Sequence, residues 1–133
     1  MLNLLSAAAA LSLVASPALA QDAPDWSGVW QNGSNSVHIR AQRCGEAMCG
    51  TVVWANAKAK ADAAAGGTET LVGTRIFQEF YAEDGIWYGE VYAPDLARSF
   101  EGTVELADLN TLIGTGCLFG SFGCREQRWT RVK

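Results

Sequence analysis

The stretch "NSVHIRAQRCGEAMCGTVVWA" (35–55) predicts a β-hairpin with one buried face. In its first half the residues alternate, with Val37, Ile39 and Ala41 on one face and polar residues between them on the other. A glycine-containing turn between two cysteines follows, and "CGTVVWA" (49–55) returns as a second strand. The hairpin therefore needs a core on its apolar side.

Short strand-like segments of the same kind run along the rest of the chain. Turn-forming residues separate them, as at 32–34, 83–85 and 94–97. The pattern predicts eight strands, at 25–31, 35–43, 49–55, 74–82, 86–93, 98–107, 110–118 and 124–132. Eight antiparallel strands in meander order pair all their edges by closing, so the predicted fold is an all-β, up-and-down β-barrel. Such a barrel is either filled by side chains or holds one small ligand.

One longer connection interrupts the meander, at "NAKAKADAAAGGTETLVG" (56–73). Its Ala/Lys half can hold a turn or two of helix, which Gly66 and Gly67 would end. The segment has no apolar stripe, so a mobile, solvated loop is the alternative prediction. In either case it is a surface crossover or lid.

The N-terminus, "MLNLLSAAAALSLVASPALA" (1–20), has the features of a secretory signal peptide. It is an apolar run ending in a small-x-small site before Gln21, and it is too short and Ala-rich to span a bilayer. The alternative is a buried N-terminal helix. We expect a single domain at 21–133 in a periplasmic or secreted protein.

The four cysteines form two close pairs, and we predict the disulfides Cys44–Cys49 and Cys117–Cys124. Even-numbered cysteines in a small exported domain normally form disulfides. The spacing suits neither a zinc knuckle nor a Cys-x-x-Cys redox site, and the chain has one histidine. Crossed pairing is the less favoured alternative.

The charge pattern excludes some partners. The net charge is −4 at pH 7, without the basic stripe that nucleic acid requires. No second apolar segment approaches membrane-spanning length, so we expect no membrane span.

The predicted inner faces supply candidate ligand-lining residues. Glycines at 114 and 116 leave open space in the wall or merely permit bending. Strand 124–132 places Gln127, Trp129 and Arg131 on one face, and such inward polar groups form a plug or contact a ligand. The candidates are Trp54, Phe80, Phe100, Gly114, Gln127 and Trp129.

Two motifs near the chain ends resemble the lipocalin-like (calycin) arrangement. They are "GVW" (28–30) and "WTRV" (129–132). The resemblance implies that Trp30 packs across one barrel end and that Arg131 stacks over it as a cation–π cover.

A closer resemblance covers nearly all of 21–133. An opening Gly-x-Trp is followed in order by "CGEAMCGTVVW", "LVG", "WYGEVYAP" and "GC…C…Q.WTRV". Together these are similar to the domain of unknown function 2147 family, secreted bacterial proteins, which implies a lipocalin-like barrel rather than an activity. The chain departs from the family at the Ala-rich 57–65 and at "YAPDLARSF" (92–100), which has no glycine.

No catalytic constellation is found. His38 is predicted on the outer face, and no Gly-x-Ser-x-Gly elbow or phosphate-binding loop occurs. The carboxylate pairs Glu83/Asp84 and Glu101/Glu105 fall in a turn and on an outer face. We expect a protein that is not an enzyme and that has neither cofactor nor metal.

Two binding functions remain. The first is a carrier that holds a small apolar or amphipathic ligand in the barrel, and the second is a module that binds a periplasmic protein through its disulfide-tied loops. A structural envelope-stress protein is a third possibility. A filled interior with an exposed apolar tip at Leu118, Phe119 and Phe122 would favour the second.

Overall fold

A computed structural model describes residues 8–12 and 24–133. Of the predicted signal peptide, 1–20, only residues 8–12 are among them, so that prediction lies mostly outside the described residues. The elements are β1 (Gly28–Asn32), β2 (Val37–Cys44), β3 (Ala47–Ala55), α1 (Ala57–Ala65), β4 (Arg75–Glu83), β5 (Ile86–Ala93), β6 (Arg98–Asp108), β7 (Thr111–Phe119) and β8 (Phe122–Arg131).

The eight strands form a closed antiparallel barrel in chain order. Each strand pairs with the next, and β8 pairs with β1 through the partners Trp30–Arg131, Gln31–Thr130 and Asn32–Trp129. The predicted up-and-down barrel is confirmed. The first strand begins at Gly28 rather than at 25, so Trp26 lies in the segment that precedes it.

The connection 56–74 contains a helix rather than only a loop. Asn56 caps α1 by accepting a hydrogen bond from the Ala59 backbone N–H at 2.8 Å. The helix is mostly exposed but buries Ala63, which joins the core. Beyond it, Thr68 donates to the Pro94 carbonyl at 2.7 Å, so the segment is anchored on the β5–β6 turn.

The barrel has two distinct ends. The helix end carries α1 and the turns β1–β2, β5–β6 and β7–β8. The closed end carries the other three turns and the residues that flank β1 and β8.

The barrel interior is filled mainly by aromatic side chains. Trp26 makes edge contacts with Phe77, Phe80 and Trp87, at ring-centroid distances of 5.6, 6.0 and 6.3 Å. Phe77 in turn makes an edge contact with Trp129 at 5.7 Å. All five side chains are buried, which gives this small domain a continuous hydrophobic core.

Candidate functional site

Two disulfides staple opposite ends of the barrel. Cys44–Cys49 ties β2 to β3 at the closed end, with the Cα atoms 6.0 Å apart. Cys117–Cys124 joins register partners on β7 and β8 at the helix end, with the Cα atoms 3.9 Å apart. The predicted local pairing is confirmed, and the described residues include no free cysteine.

The closed end is covered by an arginine stacked on a tryptophan. The Arg131 guanidinium carbon lies 4.3 Å from the centroid of the buried Trp30 ring. The same guanidinium donates to the Ser27 carbonyl at 2.9 Å and, through Nε, to the Leu109 carbonyl at 2.8 Å. Gly28 permits this arrangement, because a Cβ there would collide with the guanidinium. Charge, stacking and hydrogen bonding thus join the end of β8 to β1 and to the segment that precedes it.

A second arginine covers the same end beside the first. Arg43 lies over Trp87, 5.6 Å from the ring centroid, and forms a 2.9 Å ion pair with Asp25. Partial burial raises the pKa of Asp25, but hydrogen bonds from Ser27 and Arg43 outweigh that effect and leave the pKa lowered.

Three of the predicted lining residues lie inside the barrel. Phe80 and Trp129 belong to the aromatic core, and Gly114 faces it. A Cβ at Gly114 would lie 3.4 Å from the Phe77 ring, which is ordinary contact distance. These residues therefore help to fill the interior.

The prediction that Trp54 lines the interior is wrong. Its side chain is 43% exposed and stacks on His38 on the outside of the barrel, with ring centroids 4.6 Å apart. The cause is a register shift, since His38 pairs with Trp54 but Ile39 pairs with Val52. The extra residue, Val53, shifts the alternation that places side chains inside or outside.

Phe100 and Gln127 lie on the inner face near the helix end but are not enclosed. Phe100 is half-buried beneath the Arg98 guanidinium, whose carbon lies 5.5 Å from the ring centroid, and Gln127 is exposed. A Cβ at the neighbouring Gly116 would meet nothing within 4 Å. The inner wall of β6–β8 is therefore accessible to solvent at this end.

The β7–β8 hairpin carries large apolar side chains into solvent. Phe119 and Phe122 are each 75% exposed and are register partners, and Leu118 is 53% exposed. Alternation places the two phenylalanines on the same face as the disulfide and Leu118 on the opposite face. Both sides of this hairpin tip therefore offer apolar surface.

The histidine and the acidic side chains of residues 8–12 and 24–133 do not gather into a metal centre. His38 lies on the outer face within 2.7 Å of the Asn35 side-chain oxygen. Within those ranges, no three His, Cys, Asp or Glu side chains cluster as metal ligands would. The helix in the described region is too short and too polar to cross a membrane.

Residues 28–131 match the family model described as an uncharacterized protein conserved in bacteria (DUF2147). The chain belongs to this family. No curated protein and no solved structure matches the chain significantly. The family description names no activity.

Proposed function

We propose that this family member is a non-catalytic binding module that docks on a partner protein through the tip of its β7–β8 hairpin. The observation that carries the proposal is the exposed pair Phe119 and Phe122 beside the Cys117–Cys124 disulfide. Contiguous apolar surface of this kind commonly marks an interaction site. The disulfide restrains the tip before binding, which reduces the entropy lost when the complex forms.

The shape of the tip indicates the chemistry of the partner. The two phenyl rings project from a turn and are therefore convex, and the partner must offer a concave, apolar pocket. Aromatic anchors that enter such pockets are frequent hot spots of binding energy.

A carrier function inside the barrel has less support. The interior contains six buried aromatic side chains, namely Trp26, Trp30, Phe77, Phe80, Trp87 and Trp129. A ligand of their size would have to displace part of this core.

We further propose that the protein acts outside the cytoplasm. The two disulfides support this, because such bonds persist in oxidising compartments. The apolar N-terminal run ending in Ala18-Leu19-Ala20 supports export by a cleaved signal peptide.

Site-specific photo-crosslinking in producing cells tests the docking proposal. A photoreactive amino acid at position 119 should give a discrete adduct with another protein, and the same residue at the exposed position 54 should not. The captured partner is then identified by mass spectrometry, purified and titrated. Phe119→Ser combined with Phe122→Ser should weaken its binding at least tenfold, as expected for the loss of about 1.4 kcal/mol or more of apolar burial.

The matched control is Trp54→Ser, which removes an exposed aromatic side chain from another strand. It should leave the affinity unchanged. Equal adducts at both positions, an adduct only with a second copy of this chain, or unchanged affinity of the double variant would each contradict the proposal.

A further inference from the structure

A groove lies on the outer wall of the barrel, away from the hairpin, where β4 meets β5. Its volume is about 440 Å³, within the range of roughly 300–1,000 Å³ typical of small-molecule sites. The lining residues are Arg75, Gln78, Glu79, Tyr81, Gly89 and Glu90.

A β-bulge shapes this groove. Phe77 pairs with Val91 and Tyr81 pairs with Tyr88, so three residues of β4 lie opposite two of β5. Gly89 lets the bulged strand approach, because a Cβ there would lie 2.6 Å from the Glu79 carbonyl oxygen. Bulges often re-aim side chains beside binding sites, and this one places Gln78 and Glu79 in the groove.

The polar side chains in the groove do not contribute hydrogen bonds or ion pairs to the fold. Among the described residues, the side chains of Arg75, Gln78, Glu79 and Glu90 have neither a hydrogen-bond partner nor an ion-pair partner within the protein. Tyr81 adds an aromatic ring that is 53% exposed. The groove therefore presents free donors, free acceptors and one apolar platform.

The mixture of charges limits what can bind. A small anion would meet the carboxylates of Glu79 and Glu90, and a small cation would meet the Arg75 guanidinium. A neutral polyhydroxylated ligand avoids both conflicts, because each hydroxyl both donates and accepts. Its C–H face can also pack on the Tyr81 ring. We infer that this groove binds a saccharide.

Titration by amide NMR tests the inference, with maltotriose and chitotriose as the probes. At least one of the two should cause saturable shifts confined to 75–81 and 88–91. Tyr81→Ala should weaken the binding at least fivefold. Trp54→Ala, which removes a comparably exposed ring outside the groove, should leave it unchanged. The thermal midpoints of both variants confirm that they fold.

Ionic comparators separate a saccharide site from a charge site. Binding of the neutral saccharide should be insensitive to salt, whereas binding of spermidine or succinate would weaken as salt rises. The inference is overturned if neither sugar binds with a Kd below about 10 mM. Shifts elsewhere on the barrel, or tighter and salt-sensitive binding of spermidine, would also overturn it. The hairpin double variant should bind the sugar normally, so this test is independent of protein docking.

Discussion

Replacing Arg131 by alanine should destabilise the barrel by removing the cover of its closed end. The guanidinium carbon of this residue lies 4.3 Å from the Trp30 ring centroid, and the guanidinium makes two hydrogen bonds to backbone carbonyls. A partly desolvated cation–π contact contributes about 1–2 kcal/mol. The two carbonyls can be rehydrated after the truncation, so each hydrogen bond adds only about 0.5–1 kcal/mol. Together these contributions give an expected loss of about 2–4 kcal/mol.

Equilibrium urea unfolding, followed by tryptophan fluorescence, measures this loss. In a separate thermal scan, 1 kcal/mol corresponds to about 4 °C in Tm for a domain of this size, so Tm should fall by roughly 8–16 °C. Arg131→Lys should show an intermediate loss, because lysine keeps the charge without the planar stack.

The matched control is Arg128→Ala. Arg128 lies on the same strand but on the outer, exposed face, so its loss should change stability by less than about 0.5 kcal/mol. Equal effects of the two alanine variants, or an Arg131→Ala effect below about 0.5 kcal/mol, would refute the argument that this stack closes the barrel.

Three further predictions concern core packing, the Cys117–Cys124 disulfide and the pH dependence of stability. Gly114→Ala should be tolerated because its Cβ meets the Phe77 ring at ordinary contact distance, whereas Gly114→Leu should overpack the core and cost about 1–3 kcal/mol by thermal unfolding. Cys117→Ser combined with Cys124→Ser should cost about 2 kcal/mol and speed amide exchange at the hairpin tip, as measured by NMR. The lowered pKa of Asp25 means that its contribution to stability is present above about pH 4 and is lost as pH falls through that pKa. The Asp25→Asn variant should therefore lose less stability between pH 7 and pH 3 than the wild-type protein does. The difference should be under about 1 kcal/mol, because the ion pair is largely exposed.

The barrel could be predicted from local patterns because almost every strand pairs with its sequence neighbour. Alternation placed Val37, Ile39 and Ala41 inside, and all three are buried. The disulfides could be predicted because the two cysteines of each pair are close in sequence. The apolar hairpin tip was also visible, because three large hydrophobic residues lie around a turn.

The errors arose where the register changes. Trp54 was expected to line the interior, but a bulge that no residue type announces changes the alternation of β3 and places it outside. The groove on β4 and β5 was missed for the same reason, since a register shift creates it. Trp26 was placed in the predicted strand 25–31, but it precedes β1, and its carbonyl accepts a 2.9 Å hydrogen bond from the Trp30 indole. Its role depends on tertiary packing rather than on a strand pattern.

The seam between β1 and β8 also has a kinetic consequence. Every other strand pair joins strands that follow one another in the chain, but this one joins Trp30 to Arg131, which are about 100 residues apart. Local hairpins form within microseconds, whereas a contact this remote in sequence must overcome a large loop-closure entropy. We expect the seam to close after the folding transition state, so Arg131→Ala should accelerate unfolding and hardly slow refolding in stopped-flow measurements. The rate at which this seam opens would then determine the lifetime of the folded barrel.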